Sequence, residues 1–379
     1  MGLTSWGLLV LLTAVVACCL AATVWAWPRV SSGGPRAVAA RLLILVGCQL
    51  AVMLTLVTAL NSYYQFYGTW KDLATAAGGT SQVRPKGPPN AHVAAATQVV
   101  RQVRSSLGPG RNGKHVPRRD GQVEHLDIRG IRTGISSQAF IYLPPQYFQP
   151  AFASRRFPVV LLIAGYPSTD RKIWIKKGHI PQDAARAATT GELQPMIYVM
   201  MRPTVEDGWD TECADVPGGP KVESFFAQDV PEAITTTYRA AYGRKGWGVA
   251  GYSTGGYCAT KLALLHSDTF SAGASLAGHF DAIQDTTTRD LYGGSKVIRR
   301  SSDLIWRLQN LPQPPVSILV ASADVGEKTF PQAQKFMAAA RPPLVVDKVL
   351  LPTGGHNFKT FRRYIPPAMR WLSARLRGE

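Results

Sequence analysis

A chain of 379 residues exceeds the size of one average domain and permits a large core. Hydrophobic residues make up 46% and charged residues only 17%, which excludes a disordered or fibrous chain and leaves a globular protein, a membrane protein or a combination of both. The 42 Lys and Arg residues outnumber the 24 Asp and Glu residues, and the net charge of +18 favours anionic surroundings such as lipid headgroups, acidic envelope polymers or nucleic acid.

Two stretches near the start of the chain contain no charged residue. They cover residues 6–27 and 42–63, and each is long enough for a helix to cross the roughly 30 Å hydrocarbon core of a bilayer. Met1 to Ser5 contain no basic residue, which argues against the alternative of a cleaved signal peptide. We therefore predict a two-helix transmembrane hairpin over residues 1–64.

The loop between these two helices predicts their orientation. Arg29, Arg36 and Arg41 lie in or beside it without acidic neighbours, and short basic loops of this kind remain on the cytoplasmic side. The chain that follows the hairpin is then predicted to face the extracytoplasmic side. Most of the basic residues after the second helix lie beyond the short window in which charge sets topology.

Residues 65–120 are predicted to form a basic linker rich in Gly and Pro. One interpretation places a short helix over 92–105 along lipid headgroups, and the other is a solvated tether. No recognition helix, zinc finger or aromatic RNA-binding motif accompanies the basic residues, so no nucleic-acid partner is predicted.

Residues 121–379 are predicted to form an α/β domain. About eight runs rich in Val, Ile and Leu alternate with helical stretches, and several runs are continuously apolar, as in strands that helices cover on both faces. The runs are Val123–Arg129, Ala139–Leu143, Pro158–Ile163, Met196–Met201, Trp247–Ala250, Ala272–Leu276, Val316–Ala321 and Leu344–Leu350. This alternation predicts a doubly wound, mostly parallel sheet with ligands at the carboxyl ends of its strands.

The strand at Trp247–Ala250 is followed by Gly-Tyr-Ser-Thr-Gly-Gly, from Gly251 to Gly256, and then by a helical stretch. This is the G-x-S-x-G pattern in a strand, turn and helix context. A serine on so tight a turn projects its hydroxyl over the sheet edge, and the flanking glycines let the strand and the helix approach each other. The pattern predicts Ser253 as a nucleophile, and an ordinary Gly-Ser turn is the alternative.

A serine hydroxyl needs a positioned base, which is normally a histidine. His356 follows Gly354 and Gly355 just past the last predicted strand, where a loop can place the imidazole over Ser253. His279 also follows a strand and is the second candidate, although a packing or substrate-pocket role is favoured for it. We predict His356 as the base.

The third member of such a triad is a carboxylate between the serine and the histidine in chain order, on a loop after the penultimate strand. Asp324 is the predicted acid, and Glu327 on the same loop is the alternative. The oxyanion hole is predicted to combine the backbone N–H groups of Thr254 and Tyr166, because Pro167 has no N–H.

From about Gly121 onward the chain resembles the putative-esterase family of α/β-hydrolases, which includes enterochelin-esterase-like and feruloyl-esterase-like enzymes and the mycolyltransferases. The segments that carry the resemblance are Glu223–Pro231, Gly251–Gly256, the Asp324 loop and Gly354-Gly355-His356. The resemblance implies an α/β-hydrolase fold and a serine esterase or acyltransferase that works through an acyl-enzyme. Tyr166-Pro167 stands where mycolyltransferases have Leu-Arg, so trehalose mycolylation is not supported.

Cys213 and Cys258 are the only cysteines outside the two charge-free stretches. This arrangement excludes a zinc site built on cysteine, and no metal or organic cofactor is predicted. Because an extracytoplasmic domain lies in an oxidising setting, we predict a disulfide between these two cysteines, with two buried free thiols as the alternative.

The combined observations predict a membrane-anchored extracytoplasmic serine hydrolase that acts on carboxylic esters of lipids or small molecules. Transfer of the acyl group to a hydroxyl acceptor is a variant of the same chemistry. The alternative function is a catalytically silent hydrolase-fold module that binds anionic envelope polymers through its basic face.

Overall fold

The structure is a computed structural model and describes residues 3, 5–30, 34–64, 70, 73, 100–104, 116–167, 170–206 and 208–379. The chain divides into two compact units, Met1–Thr80 and Ser81–Glu379. Most of the predicted linker over 65–120, including its basic residues before 100, lies outside the described residues.

The first unit is a pair of apolar helices, α1 (Trp6–Ala26) and α2 (Pro35–Tyr64), with a 3₁₀ turn over Trp27–Val30. Both helices are long and apolar enough to cross a membrane, with mean hydropathies of 2.6 and 2.4, and their side chains are largely exposed. The helices contact each other, and Thr23 Oγ1 lies 3.0 Å from Cys48 Sγ. Helix α1 ends one residue before the end of the predicted span 6–27, and α2 begins seven residues before the predicted span 42–63 and ends one residue after it.

The second unit contains a nine-stranded sheet in the order β1-β2-β3-β5-β4-β6-β7-β8-β9. Its strands are β1 (Val100–Arg104), β2 (Gln122–Arg129), β3 (Ser136–Leu143), β4 (Val159–Ile163), β5 (Ile197–Met201), β6 (Trp247–Tyr252), β7 (Ala272–Leu276), β8 (Ser317–Val325) and β9 (Val345–Thr353). Strands β1, β2, β3 and β5 pair antiparallel, and the pairings from β5 through β4 to β9 are parallel. The predicted doubly wound, mostly parallel sheet is confirmed.

Strand β1 was not predicted. It pairs antiparallel with β2, with Val100 opposite Ile128 and Arg104 opposite Glu124. The short helix that one of the two interpretations placed over 92–105 is therefore wrong for 100–104, where the chain forms a strand of the sheet.

Helices cover both faces of the sheet. The described helices of this unit are α3 (Pro117–Asp120), α4 (Ile173–Lys176), α5 (Ile180–Thr190), α6 (Val222–Ser224), α7 (Val230–Thr237), α8 (Thr254–Leu265), α9 (Lys296–Ser302), α10 (Leu304–Asn310), α11 (Phe330–Ala339) and α12 (Phe358–Arg375), with a π-helical turn at Phe225–Asp229 and 3₁₀ turns at Pro145–Phe148, Pro150–Phe152 and Arg244–Gly246. One core packs α7, α8, α10 and α11 against the sheet, and the other packs α4, α5 and α12.

The central strands explain this layering because successive side chains of a strand point to opposite faces. In β4, Val159 and Leu161 belong to the first core, whereas Val160 and Leu162 belong to the second. All five residues of β4 are buried, so the continuous apolar run that predicted a doubly covered strand is explained by its position in the sheet.

The parallel arrangement brings four loops to one edge. Strands β6, β7, β8 and β9 are neighbours and run in the same direction, so the loops after their carboxyl ends lie together. Ser253 follows β6, His279 lies in the loop after β7, Glu327 follows β8 and His356 follows β9.

Candidate active site

Ser253 lies on a sharp turn between β6 and α8. Its backbone has φ 56° and ψ −128°, a conformation that is costly for a residue with a side chain. The turn is held by a hydrogen bond of 3.1 Å from Ser253 N to Leu276 O. A Cβ added at Gly251 would meet Gly255 O at 2.2 Å, and one at Gly255 would meet Ile163 O at 2.1 Å. The two glycines are therefore required by the close approach of strand and helix that exposes the serine.

His356 lies against Ser253. Its Nε2 is 2.9 Å from Ser253 Oγ. The loop that holds it runs from the end of β9 to Asn357, whose side chain caps α12 by accepting a hydrogen bond from Thr360 N at 3.2 Å. Phe361 of α12 packs edge-on against the imidazole, with ring centroids 5.1 Å apart. The imidazole is thus held on one side by α12, while 37% of the side chain remains exposed.

The other nitrogen of the imidazole faces Glu327. His356 Nδ1 lies 3.0 Å from Oε1 and 3.1 Å from Oε2 of this carboxylate. The Glu327 side chain is completely buried. Thr329 N and Thr329 Oγ1 also donate to Glu327 Oε1, at 3.2 and 3.1 Å, so the carboxylate has its orientation fixed from two directions.

The preferred acid of the sequence analysis, Asp324, does not contact the histidine. Strand β8 continues to Val325, which pairs with Thr353, so Asp324 is still part of the strand, with an exposed side chain. The chain turns only at Gly326, where φ is 94°. The carboxylate that follows this turn is Glu327, and the structure therefore favours the alternative over Asp324.

The loop after β4 approaches the serine closely. A Cβ added at Gly165 would lie 2.9 Å from Ser253 Cβ, so only a glycine permits this approach. Tyr166 follows at once, and Thr254 is the first residue of α8, whose backbone N–H has no partner within the helix. Both predicted oxyanion donors thus belong to segments beside Ser253, and their role stays a prediction.

A buried polar network lies behind the turn. Thr254 Oγ1 donates to Asp210 Oδ2 at 3.0 Å, and Lys261 Nζ donates to Cys213 O at the same distance. Cys213 and Cys258 form a disulfide, as the sequence analysis predicted. Burial raises the pKa of Asp210 to about 8, and the neighbouring Glu212 adds to this effect.

His279, the second candidate base, belongs to this network. Its Nε2 is 3.1 Å from Glu212 Oε2, and its ring stacks on Tyr257 at 4.6 Å. Burial disfavours its charged form, but the Glu212 carboxylate outweighs burial and raises the pKa of His279. The ring is thus paired and packed, in agreement with the structural role favoured for it.

Sequence reasoning did not identify Asp210, which contacts Thr254 from 44 positions away, or Glu212, which contacts His279 from 67 positions away. No local pattern predicts such a contact. Among the residues that the structure describes, no group of three or more His, Cys, Asp or Glu is arranged to hold a metal ion.

The model of the putative esterase family matches residues 132–372. The chain belongs to this family. The resemblance noted in the sequence is thereby confirmed, and family membership supports ester hydrolysis. In sequence, the chain is 25% identical over 161 residues to an uncharacterized protein of Corynebacterium glutamicum, a match that covers 42% of this chain and only 37% of that protein.

Solved structures of hydrolases share the fold. The chain is similar to a ferulic acid esterase, with a TM-score of 0.55 and 20% identity over 67% of this chain and 98% of that one. It is also similar to an S-formylglutathione hydrolase of Agrobacterium tumefaciens, with a TM-score of 0.55, 15% identity and coverages of 68% and 97%. A third similar structure is a fluorophosphonate-binding serine hydrolase of Staphylococcus aureus, with a TM-score of 0.53 and 16% identity over 67% of this chain and 98% of that one. At these identities the matches establish the α/β-hydrolase fold.

Proposed function

We propose that this esterase is a membrane-anchored, extracytoplasmic serine hydrolase with Ser253 as nucleophile, His356 as base and Glu327 as the acid that orients the base. The observation that supports this most strongly is the continuous chain of contacts from Ser253 Oγ to His356 Nε2 and from His356 Nδ1 to Glu327. In a triad the acid orients the histidine, and the histidine takes the proton of the serine, which this order of contacts allows.

The proposed reaction begins when His356 Nε2 takes the proton of Ser253 Oγ as that oxygen attacks the ester carbonyl. Glu327 accepts the Nδ1 hydrogen bond and stabilises the imidazolium that forms. The N–H groups of Thr254 and Tyr166 receive the developing oxyanion. His356 then returns its proton to the leaving alcohol, which leaves an acyl group on Ser253.

The acyl-enzyme can pass its acyl group to water or to another hydroxyl. The exposure of the His356 ring favours water, because the base that must activate the second acceptor is open to solvent. Transfer to an alcohol or a sugar uses the same site, with the acceptor in place of water. The substrates we propose are carboxylic esters of lipids or small molecules.

The proposed location depends on the hairpin and on the disulfide. The α1 and α2 helices are long and apolar enough to anchor the chain in a bilayer. The arginines around their connection favour a cytoplasmic loop. A disulfide between Cys213 and Cys258 fits an oxidising compartment, which supports an extracytoplasmic position for the hydrolase unit.

A series of p-nitrophenyl esters of increasing acyl length, given to the full-length protein in detergent micelles, tests the proposed function. We expect turnover by the wild type, none above background by Ser253→Ala, and a chain-length preference that separates small esters from lipids. Addition of a primary alcohol gives the ratio of transfer to hydrolysis. Equal turnover by the wild type and Ser253→Ala would contradict the proposal, and a folded protein inactive on every ester would favour the silent binding module.

A further inference from the structure

The loop 210–215 is attached to the helix that follows Ser253. Its contacts on α8 are Thr254, Cys258 and Lys261: the first through Asp210, the second through the disulfide and the third through Cys213 O. These positions are four and three residues apart, so they lie along one face of the helix. The loop therefore fixes α8 along its length, starting at the residue next to Ser253.

Asp210 makes the contact nearest to the serine. Its Oδ2 accepts from Thr254 Oγ1 at 3.0 Å, and its Oδ1 accepts from Glu212 N at 3.2 Å. Its own backbone N donates to Thr287 O at 3.0 Å in the loop after β7. The residue is 4% exposed, so both carboxyl oxygens have protein partners in a buried setting. Asp210 thus connects the loop after β7, through its backbone, and its own loop, through its side chain, to the start of α8.

The backbone beside Asp210 is strained. Glu212 and Cys213 have φ values of 47° and 45°, in the left-handed region that residues with a Cβ rarely adopt. Such conformations persist where the surrounding contacts over-determine them, and they cluster at functional sites. Here the contacts are the disulfide, the Glu212 to His279 pair and the Lys261 hydrogen bond. A loop that only closed the chain would not require this conformation.

We propose that Asp210 is a positioning residue, which acts through Thr254 to hold the backbone N–H beside Ser253 toward the oxyanion. This inference rests on the proposed function, because the N–H of Thr254 matters only if Ser253 forms a tetrahedral intermediate. An oxyanion donor must be fixed before the charge develops, since reorganisation during the reaction cancels its benefit. The hydrogen bond from Thr254 to Asp210 supplies this fixation one residue from the nucleophile.

The charge of Asp210 affects the same step. Burial, together with Glu212 on the same loop, raises its pKa to about 8. The increase is opposed by the hydrogen bonds that Asp210 accepts from Glu212 N and Thr254 Oγ1, and by His279 from the loop after β7. The raised pKa favours the neutral carboxyl at neutral pH. A negative charge that arises in the alkaline range lies next to the oxyanion site and repels the developing charge, so kcat should fall there.

The experiment compares Asp210→Ala and Asp210→Asn with wild type in full-length protein, by kcat, KM and the rate of labelling with a fluorophosphonate. Asp210→Ala should lower kcat roughly 10- to 100-fold, the scale of a misplaced catalytic group, with little change in KM. Asp210→Asn is neutral and isosteric, so it should restore most of the turnover at pH 7 and remove the decline above pH 8. Thr254→Val should lower kcat similarly, and the double variant Asp210→Ala with Thr254→Val should be no slower than either.

Asp229→Asn is the matched control. Asp229 is also a buried carboxylate, 3% exposed, but its oxygens accept hydrogen bonds from Arg132 N and Thr133 N. This variant should lower the melting temperature and leave kcat unchanged. If Asp210→Ala also lowers only the melting temperature, or if Asp210→Asn keeps the alkaline decline, the inference is overturned while the proposed function stands. If the wild type is neither active nor labelled, the proposed function fails and the inference fails with it.

Discussion

At the scale of single residues, the identity of the acid matters most for the proposed chemistry. Glu327 is buried beside an imidazole whose opposite nitrogen contacts Ser253. A buried carboxylate in this position fixes the tautomer that leaves Nε2 free to accept a proton. Asp324 is the penultimate residue of β8, and its exposed side chain makes no such contact.

Replacement of Glu327 by Gln tests this assignment. The amide keeps the size of the side chain but can favour the wrong tautomer of His356, so kcat should fall roughly 10³- to 10⁴-fold with little loss of folded protein. Asp324→Asn is the matched control and should retain nearly full turnover. A severe loss in Asp324→Asn with an active Glu327→Gln would restore the acid that the sequence favoured.

The sequence singled out Ser253 and His356 because each lies beside glycines just after a strand, and the structure brings the two together, while their roles stay predictions. The acid was harder to predict because two carboxylates share one loop, and the end of β8 brings Glu327 rather than Asp324 to His356. An apolar run ends at Ala321, yet the strand continues to Val325. Gly326 was the useful signal, because Glu327 follows a glycine turn as His356 follows Gly355.

At the scale of secondary-structure elements, the packing of α8, the helix that follows Ser253, depends on buried ionic contacts as well as on apolar contacts. Lys261 is 2% exposed, and its Nζ lies 3.0 Å from Glu223 Oε2. His266 Nε2 is 2.9 Å from the other oxygen of the same carboxylate. Burial would raise the pKa of Glu223, but Lys261 and His266 outweigh burial and lower it to about 2.

Glu223→Gln should therefore destabilise the protein in a pH-dependent manner. Because the folded-state pKa lies below the ordinary value of 4.5, the stabilisation by Glu223 is present above pH 4.5 and is lost as the pH falls toward 2. The difference between wild type and variant should be about 3 kcal/mol at pH 7, since a buried Lys261 is left unpaired, and should shrink below pH 4.5. Thermal unfolding at several pH values measures it.

The control for this comparison is Glu232→Gln. Glu232 pairs with Arg132 at 2.8 Å, but both side chains are about half exposed, so the pair contributes little at any pH. A Glu223→Gln difference that is constant from pH 7 to 3 would show that its carboxylate is not held ionised by Lys261 and His266.

The disulfide also contributes to the stability of this part of the fold. It joins Cys213 and Cys258, which are 45 positions apart in the sequence. Replacement of both by Ala should cost about 3 to 4 kcal/mol in the free energy of unfolding, because the unfolded chain gains freedom. It should also reduce turnover more than an equally destabilising change elsewhere, since the loop that fixes α8 is released.

The strands were predictable where the run of apolar residues was unbroken, as in β4, whose residues are all apolar and buried. Strand β1 was missed because its sequence, Val-Arg-Gln-Val-Arg over Val100–Arg104, is neither continuously apolar nor alternating. It also lies in a segment otherwise rich in Gly, Pro and basic residues. An edge strand of this kind is stabilised by pairing with β2 rather than by its own composition.

At the scale of the whole molecule, the proposed topology places the hairpin loop and the hydrolase unit on opposite sides of the membrane. In a variant with Cys18, Cys19 and Cys48 replaced by Ala, one new cysteine reports each side. Val297 is 78% exposed, so Val297→Cys should react with a membrane-impermeant maleimide in intact cells. Ser32 stands between the two charge-free stretches in the sequence, so Ser32→Cys should react only after permeabilisation, and the reverse pattern would contradict the orientation.

Covalent labelling tests most directly whether Ser253 is the nucleophile. Full-length protein is treated with a fluorophosphonate, digested and mapped by mass spectrometry, beside Ser253→Ala and Glu327→Gln. We expect one modified residue, Ser253, with no labelling in Ser253→Ala and much slower labelling in Glu327→Gln. Labelling of another residue, or a folded wild type that is not labelled, would contradict it.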